Sequence, residues 1–475
     1  MALSPDAVLA HAGEVWQRDI VPALSDYIRI PNVSPAFDAR WSEHGYMAKA
    51  VELVSSWCKA RPIPGMTCFV HELEGRSPLL FIDIPASDPS LAGDTILLYG
   101  HLDKQPEMTG WREGLGPWEP VREGTRLYGR GGADDGYAAF ASLTAVEALL
   151  AGGGAHARCV VLIEASEESG SVDLPAHVDA LASRIGTPSL VICLDSGCAD
   201  YDRLWVTTSL RGMVSARVTA EVLSEGVHSG DASGVVPSSF RVLRQILDRI
   251  EDAATGRVLL AEPWVDIPAD RAGEARRAAT ALGEPISAKF PFVAGTQPMT
   301  ADQVEQLLNR TWRPALSYVG ADGLPPSSRA GNVLRPSTSL LLSLRLPPAA
   351  DPEAALAELA SALAADPPSG ARVTVDTMHA APGWNAPTFA PWLWQALDDS
   401  STARFGTGAV AYGEGGTIPF MGMLGERFPE AQFVITGVLG PESNAHGPNE
   451  FIDIAYATRI TAVVADIVDA HAKRC

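Results

Sequence analysis

The sequence has no CxxC pair. Its six cysteines, at positions 58, 68, 159, 193, 198 and 475 of a 475-residue chain, are scattered, and several sit inside apolar runs. That spacing excludes a zinc knot of paired thiolates and a disulfide framework, and reads as reduced, packing thiols. No apolar run approaches membrane-spanning length, and the start, MALSPDAVLAHAGEVWQRD, lacks a basic stretch followed by an unbroken apolar core. A soluble cytoplasmic protein with no membrane partner is expected. Basic residues are few: 36 Lys and Arg against 57 Asp and Glu leave a net charge of -21. Such a surface repels nucleic acid. Also missing are a GxSxG elbow, a GxxxxGK[ST] phosphate loop and a Rossmann glycine fingerprint that follows a strand and opens a helix. A serine hydrolase and a nucleotide enzyme are thereby disfavoured.

What is present is a series of apolar runs that stop at chemically capable side chains. The chain exceeds what one core usually serves, so two domains are expected. Helical spacing covers residues 4–29, opened by Ser4 and Pro5 as N-cap and N1, and residues 38–61. Strands are predicted at 67–71, 79–84, 95–99, 159–165, 190–194 and 432–438. The run at 95–99 stops at Gly100, His101, Leu102 and Asp103, and the run at 159–165 stops at Glu167 and Glu168. The run at 190–194 stops at Asp195, and His446 follows the last. Between them the Gly-rich stretch LYGRGGADDG carries Asp134 and Asp135 to the start of an Ala-rich helix.

Each of these alone has an ordinary reading: a solvated acidic loop, a surface His-Asp pair, a helix cap. Together they argue for converging ligands, because the carboxyl ends of strands form the binding crevice of open α/β sheets. His, Asp and Glu without thiolate suit zinc, manganese or cobalt, and an Asp that bridges gives a two-metal site. Two cations sharing a hydroxide lower its pKa, and a carboxylate that is not itself a ligand removes the second proton. Glu167, beside a ligand-type residue, meets that need.

From residue 209 the pattern changes to strand (211–221), helix (235–254), strand (333–345), helix (351–365) and strand (371–376), a small inserted α+β domain. The expected division is 1–208 and 382–475 for an α/β domain on a mixed sheet, with 209–381 inserted. Residues 257–330, rich in proline and glycine, resist assignment.

YGHLDKQP, GRGGADDG, EASEESGS, LDSG, HSGDASGVVPSS and SNAHGPNEFIDI resemble, in order and spacing, the motifs of the M20 metallopeptidases, most closely the carnosinase and cytosolic dipeptidase branch. The resemblance implies an α/β/α domain binding two divalent metals and a ferredoxin-like lid that also forms a homodimer. It makes Asp134 the bridging ligand, with His101 and Asp195 on one metal and Glu168 and His446 on the other. By the same resemblance Asp103 orients His101, Glu167 is general base and proton shuttle, and the 134–135 peptide bond is cis. His228 would reach the partner subunit's active site and stabilise an oxyanion; its ordinary reading is a turn cap. Arg345 would grip a substrate carboxylate, with Asn332 and Thr417 as further substrate contacts. The implied activity is hydrolysis of the amide bond of dipeptides, the alternative being an N-acyl amino acid deacylase or carboxypeptidase.

The chain departs from the family pattern at Tyr137, at Lys104 and at Glu414, where a basic residue is common. The acid at 414 points to a cationic or amine-bearing substrate.

Overall fold

The computed structural model describes residues 3–474. Cys475 lies outside them, and the other five cysteines are free thiols. The chain divides into two compact units. The first takes the chain up to Thr208, Ala386–Tyr412 and Met423 onward; the second takes Ser209–Asn385 and Gly413–Gly422.

The first unit is built on a six-stranded mixed sheet in the order Thr67–His71, Leu79–Ile84, Arg158–Glu164, Thr95–His101, Leu190–Cys193, Gln432–Ile435. The pairings among the first three are antiparallel. From Arg158–Glu164 onward all pairings are parallel. Every residue of Thr95–His101 is buried, which is why this segment reads as a continuous apolar run instead of alternating. The mixed-sheet α/β class expected from the sequence is what the chain adopts.

Helix Ala138–Ala151 lies close to Thr95–His101 because its first turn is alanine and the strand supplies a glycine. A Cβ on Gly100 would stand 2.4 Å from the Ala138 Cβ. The long helix Ile454–Lys473 packs against both Ala138–Ala151 and Pro5–Val15, and Trp16 Nε1 donates to Thr461 Oγ1 at 2.8 Å. Pro5–Val15 begins as its sequence dictates, with Ser4 as N-cap and Pro5 at N1.

The second unit holds a four-stranded antiparallel sheet, ordered Ala315–Asp322, Ser337–Leu346, Gly212–Glu221, Arg372–Ala381. With helices Ser239–Leu247 and Pro352–Ala364 the chain order is β-α-β-β-α-β, a split βαβ arrangement. Alternate residues of the two central strands, among them Val214, Val218, Leu342 and Leu344, join Leu243, Ile246 and Leu359 in one core.

Several segment boundaries differ from the sequence reading, three of them by most. The helix expected over 235–254 is Ser239–Leu247: Val235 is 83% exposed, and Asp252 Oδ1 accepts from Ala254 N to make a turn in place of a last helical turn. Residues 257–330 contain helices Ala269–Leu282 and Gln303–Thr311 and the strand Ala315–Asp322. The insert expected over 209–381 runs on to Asn385 and gains Gly413–Gly422. That second piece belongs there because Arg211 N donates to Gly416 O at 3.0 Å and Glu414 pairs with Arg310.

Candidate metal centre

Parallel strands deliver the side chains. His101 is the last residue of Thr95–His101, Glu167 and Glu168 follow Arg158–Glu164 in a short turn, and Asp195 follows Leu190–Cys193. Asp134 comes from the bend at Gly132–Gly136, where its φ/ψ of -122° and 90° break the helix. The Asp134–Asp135 peptide bond is cis. His446 comes from a loop in which Glu442, Asn444, His446 and Asn449 all take positive φ.

These side chains form two groups that share one residue: His101, Asp134 and Asp195, and Asp134, Glu168 and His446. In each group one ligand atom from every member lies within 4.8 Å of the others. The two oxygens of Asp134 divide between them. Its Oδ1 lies 3.3 Å from His101 Nε2 and its Oδ2 lies 3.0 Å from His446 Nε2. Asp195 Oδ2 stands 3.8 Å from His101 Nε2, and Glu168 Oε2 stands 3.3 Å from His446 Nε2.

The donor set fits divalent cations. Two imidazoles and three carboxylates, without a thiolate, match the nitrogen and oxygen preference of zinc, manganese and cobalt. The electrostatics point the same way, since acids crowd here beyond what the imidazoles neutralise. Burial, then the neighbouring carboxylates, pushes Asp195 up to about 7. Burial raises Glu168, with Asp134 adding to it. Burial raises Glu167 well above the usual range, with Asp195 next in effect. Against their burial, the facing acids raise His101 well above its ordinary value and His446 to about 11. Burial raises Asp134 too, but hydrogen bonds from His101 and His446 outweigh it and leave the carboxyl low.

Asp103 sits next to His101 in a way the sequence did not reveal. The His101 Nδ1 meets the Asp103 main-chain oxygen at 3.1 Å, while the carboxylate is farther, at 3.5 Å. That carboxylate accepts from the backbone N–H of Glu167 and of Glu168, each at 3.0 Å. Asp103 therefore ties the end of one strand to the turn that follows another.

Three further residues were not singled out by sequence. Gln105 Nε2 donates to Glu168 Oε2 at 2.7 Å, and Arg130 pairs with Glu450 at 2.7 Å. Neither long-range partnership leaves a trace in local spacing. Lys104 is fully buried, its Nζ donating to the Tyr27 and Ile30 carbonyls at 2.8 Å each and lying 3.9 Å from the Tyr27 ring centre. It closes the end of helix Val21–Ile28, a structural reason for a lysine at this departure.

The remaining sequence candidates lie in the second unit. Arg345 Nη1 donates to Thr417 Oγ1 at 3.1 Å. His228 is exposed and caps a short turn, its Nδ1 accepting from Gly230 N at 3.1 Å. It pairs across from Val333, and the Asn332 carbonyl accepts from Ser229 N at 2.9 Å. Glu414, from which a cationic substrate was expected, is bound to Arg310, and Arg211, which feels both Arg310 and Arg345, is depressed to about 9 by burial and those charges. The surroundings of Glu414 are cationic, so the acid is already countered.

The chain belongs to peptidase family M20/M25/M40, whose description it matches over residues 97–470, and is by that membership a metallopeptidase. It is 27% identical over 401 residues to a cysteinylglycine-S-conjugate dipeptidase of Corynebacterium striatum, covering 82% of this chain and 84% of that one. In fold it is similar to the di-peptidase Dug1p of Saccharomyces cerevisiae, with a TM-score of 0.78 at 21% identity over 100% of both chains. It is also similar to human carnosine dipeptidase 1, with a TM-score of 0.75 at 20% identity over 99% of both.

Proposed function

We propose that this chain is a di-metal dipeptidase that hydrolyses the amide bond of dipeptides, acting as a cytoplasmic homodimer. The observation that carries the reading is the pair of ligand groups sharing Asp134. The similarity to a bacterial dipeptidase along most of both chains supports the substrate class.

His101, Asp195 and Asp134 would hold one divalent cation, and Glu168, His446 and Asp134 the other. Zinc, manganese or cobalt bound there would supply Lewis acidity to the scissile carbonyl and acidify water towards neutrality. Glu167 is the acid beside the ligands that is not one of them. Its carboxylate takes the proton of the attacking water and returns it to the departing amine nitrogen. Asp103 fixes the Glu167 and Glu168 main chain and presents its carbonyl to His101 Nδ1, which leaves Nε2 as the ligand atom.

His228 of the partner subunit is assigned to the developing oxyanion. With Nδ1 accepting from Gly230 N, the neutral ring carries its proton on Nε2, the donor such a role needs. Arg345, braced by Thr417, is assigned to the substrate carboxylate, where a planar guanidinium gives bidentate binding. Asn332 stands beside His228 as a further substrate contact.

The test is metal-free protein reloaded with zinc, manganese or cobalt and offered dipeptides alongside N-acyl amino acids. Cation-dependent cleavage of dipeptides is expected. Hydrolysis that survives both metal removal and Glu167→Ala would overturn the mechanism, and a preference for N-acyl amino acids would replace the substrate.

A further inference from the structure

Asp134 and His446 reach the shared site from segments 312 positions apart by their numbers, and neither segment is regular helix or strand at the ligand. Something must set the distance between them. Arg130 and Glu450 form an ion pair 2.7 Å long, with side chains only 1% and 0% exposed. The Glu450 Oε2 accepts from Arg130 Nη1, while Oε1 accepts from the backbone N–H of Gly131 at 2.9 Å and of Ala133 at 3.3 Å. Ala133 is the residue before Asp134. On the other side, Arg130 Nη2 donates at 2.8 Å to the carbonyl of Gly447, the residue after His446.

The pair is thus crossed. The arginine belongs to the Asp134 segment and grips the His446 loop, and the glutamate belongs to the His446 loop and grips the Asp134 segment. Arg130 Nε also donates to the Pro106 carbonyl at 3.2 Å, next to the Gln105 whose amide holds Glu168. All three ligands of the second cation group are within a residue or two of this one network. A buried pair is a poor source of net stability against well-packed apolar groups, so its use here calls for another reason.

We infer that the Arg130–Glu450 pair is a positioning element that fixes the spacing between Asp134 and His446 and so sets the affinity of the Asp134, Glu168 and His446 group for its cation. The inference rests on the metal-centre reading proposed above.

The experiment titrates metal-free protein with zinc, counts bound ions by elemental analysis after dialysis, and records the melting temperature of the same metal-free samples. Wild type should hold two ions per chain. The double variant Arg130→Met with Glu450→Leu removes both charges together and so leaves no uncompensated buried ion. It should fold without metal at a lowered melting temperature, because the Gly131 and Ala133 N–H groups and the Gly447 carbonyl lose their partners, and bind its second ion roughly 10- to 100-fold more weakly. Glu450→Asp keeps the charge but shortens the reach, and should show the same weakening while remaining folded. A folded variant that takes two ions with wild-type affinity makes the pair mere packing and overturns the inference; if the double variant does not fold, Glu450→Asp decides by the same criterion. Wild type that binds fewer than two ions would instead overturn the reading of the centre itself.

Discussion

Glu167 and Glu168 are adjacent, identical and differently employed. Glu168 Oε2 is met by Gln105 at 2.7 Å and His446 at 3.3 Å, whereas Glu167 is tied through its main chain, its carbonyl accepting from Gly170 N at 2.7 Å and its N–H donating to Asp103 at 3.0 Å. The two should therefore fail differently. Glu167→Gln is expected to lower turnover by about 10²- to 10⁴-fold with both cations retained. Glu168→Gln should lose a cation before it loses anything else. Steady-state rates together with elemental analysis separate the two outcomes. Far from the centre, burial and then Arg474 depress His471 to about 4, so the unfolded chain takes up this proton first as the medium acidifies. The contribution to stability is whole above about pH 6.5 and drains away as pH falls towards 4, by up to about 3 kcal/mol. His471→Gln should flatten this part of the stability profile, measured as melting temperature at pH 7.5 and pH 5.

Among elements, the strand Thr95–His101 and the helix Ala138–Ala151 are the pair on which the centre depends. Gly100→Ala would set a methyl 2.4 Å from Ala138 Cβ and 2.7 Å from Asp135 Oδ2, the oxygen that accepts from His101 N at 3.3 Å. Overpacking of this kind costs about 1–3 kcal/mol, and thermal unfolding should register it together with weakened cation binding. The sequence disclosed the strands well, since apolar stretches fill Thr95–His101 and Arg158–Glu164 and lead to His101 and, a few residues on, Glu168. It failed where periodicity fails. Ala269–Leu282 went unassigned because its inward positions include Arg271 and Glu274, which pair with each other at 2.7 Å; a helix whose buried side carries an ion pair has no apolar stripe to read. The candidate metal-holding residues His101, Glu168 and Asp195 were legible one by one after strands, and Asp134 on its glycine loop. Which oxygen of Asp134 serves which group, and the Arg130–Glu450 tie, are contacts across more than 300 positions and leave nothing in local pattern.

At the scale of the whole molecule, each unit has its own core, and damage to one core should be separable from the other's chemistry. Leu342 is fully buried in the core of the second unit, so Leu342→Ala should cost about 2–5 kcal/mol while leaving the number of bound cations unchanged. Calorimetry and elemental analysis on the same sample would test both halves. Chelation should act on the first unit in the opposite manner, lowering its melting temperature by removing ligands that bind only the folded state, with recovery on adding zinc, manganese or cobalt. Among the described residues no helix is long and apolar enough to cross a membrane.

The interleaving of the two units along the chain also imposes a timetable. A ribosome finishes His101, Asp134 and Asp195 long before it reaches His446, and it completes Gly413–Gly422 of the second unit before it makes Gln432–Ile435, the outer strand of the first. Domains tend to fold as they emerge. All of the second unit is thus made while the first still lacks Gln432–Ile435 and His446. A nascent chain arrested soon after residue 422 would carry His101, Asp134 and Asp195 but not His446, so under the two-cation proposal it should bind one zinc ion where the finished chain binds two.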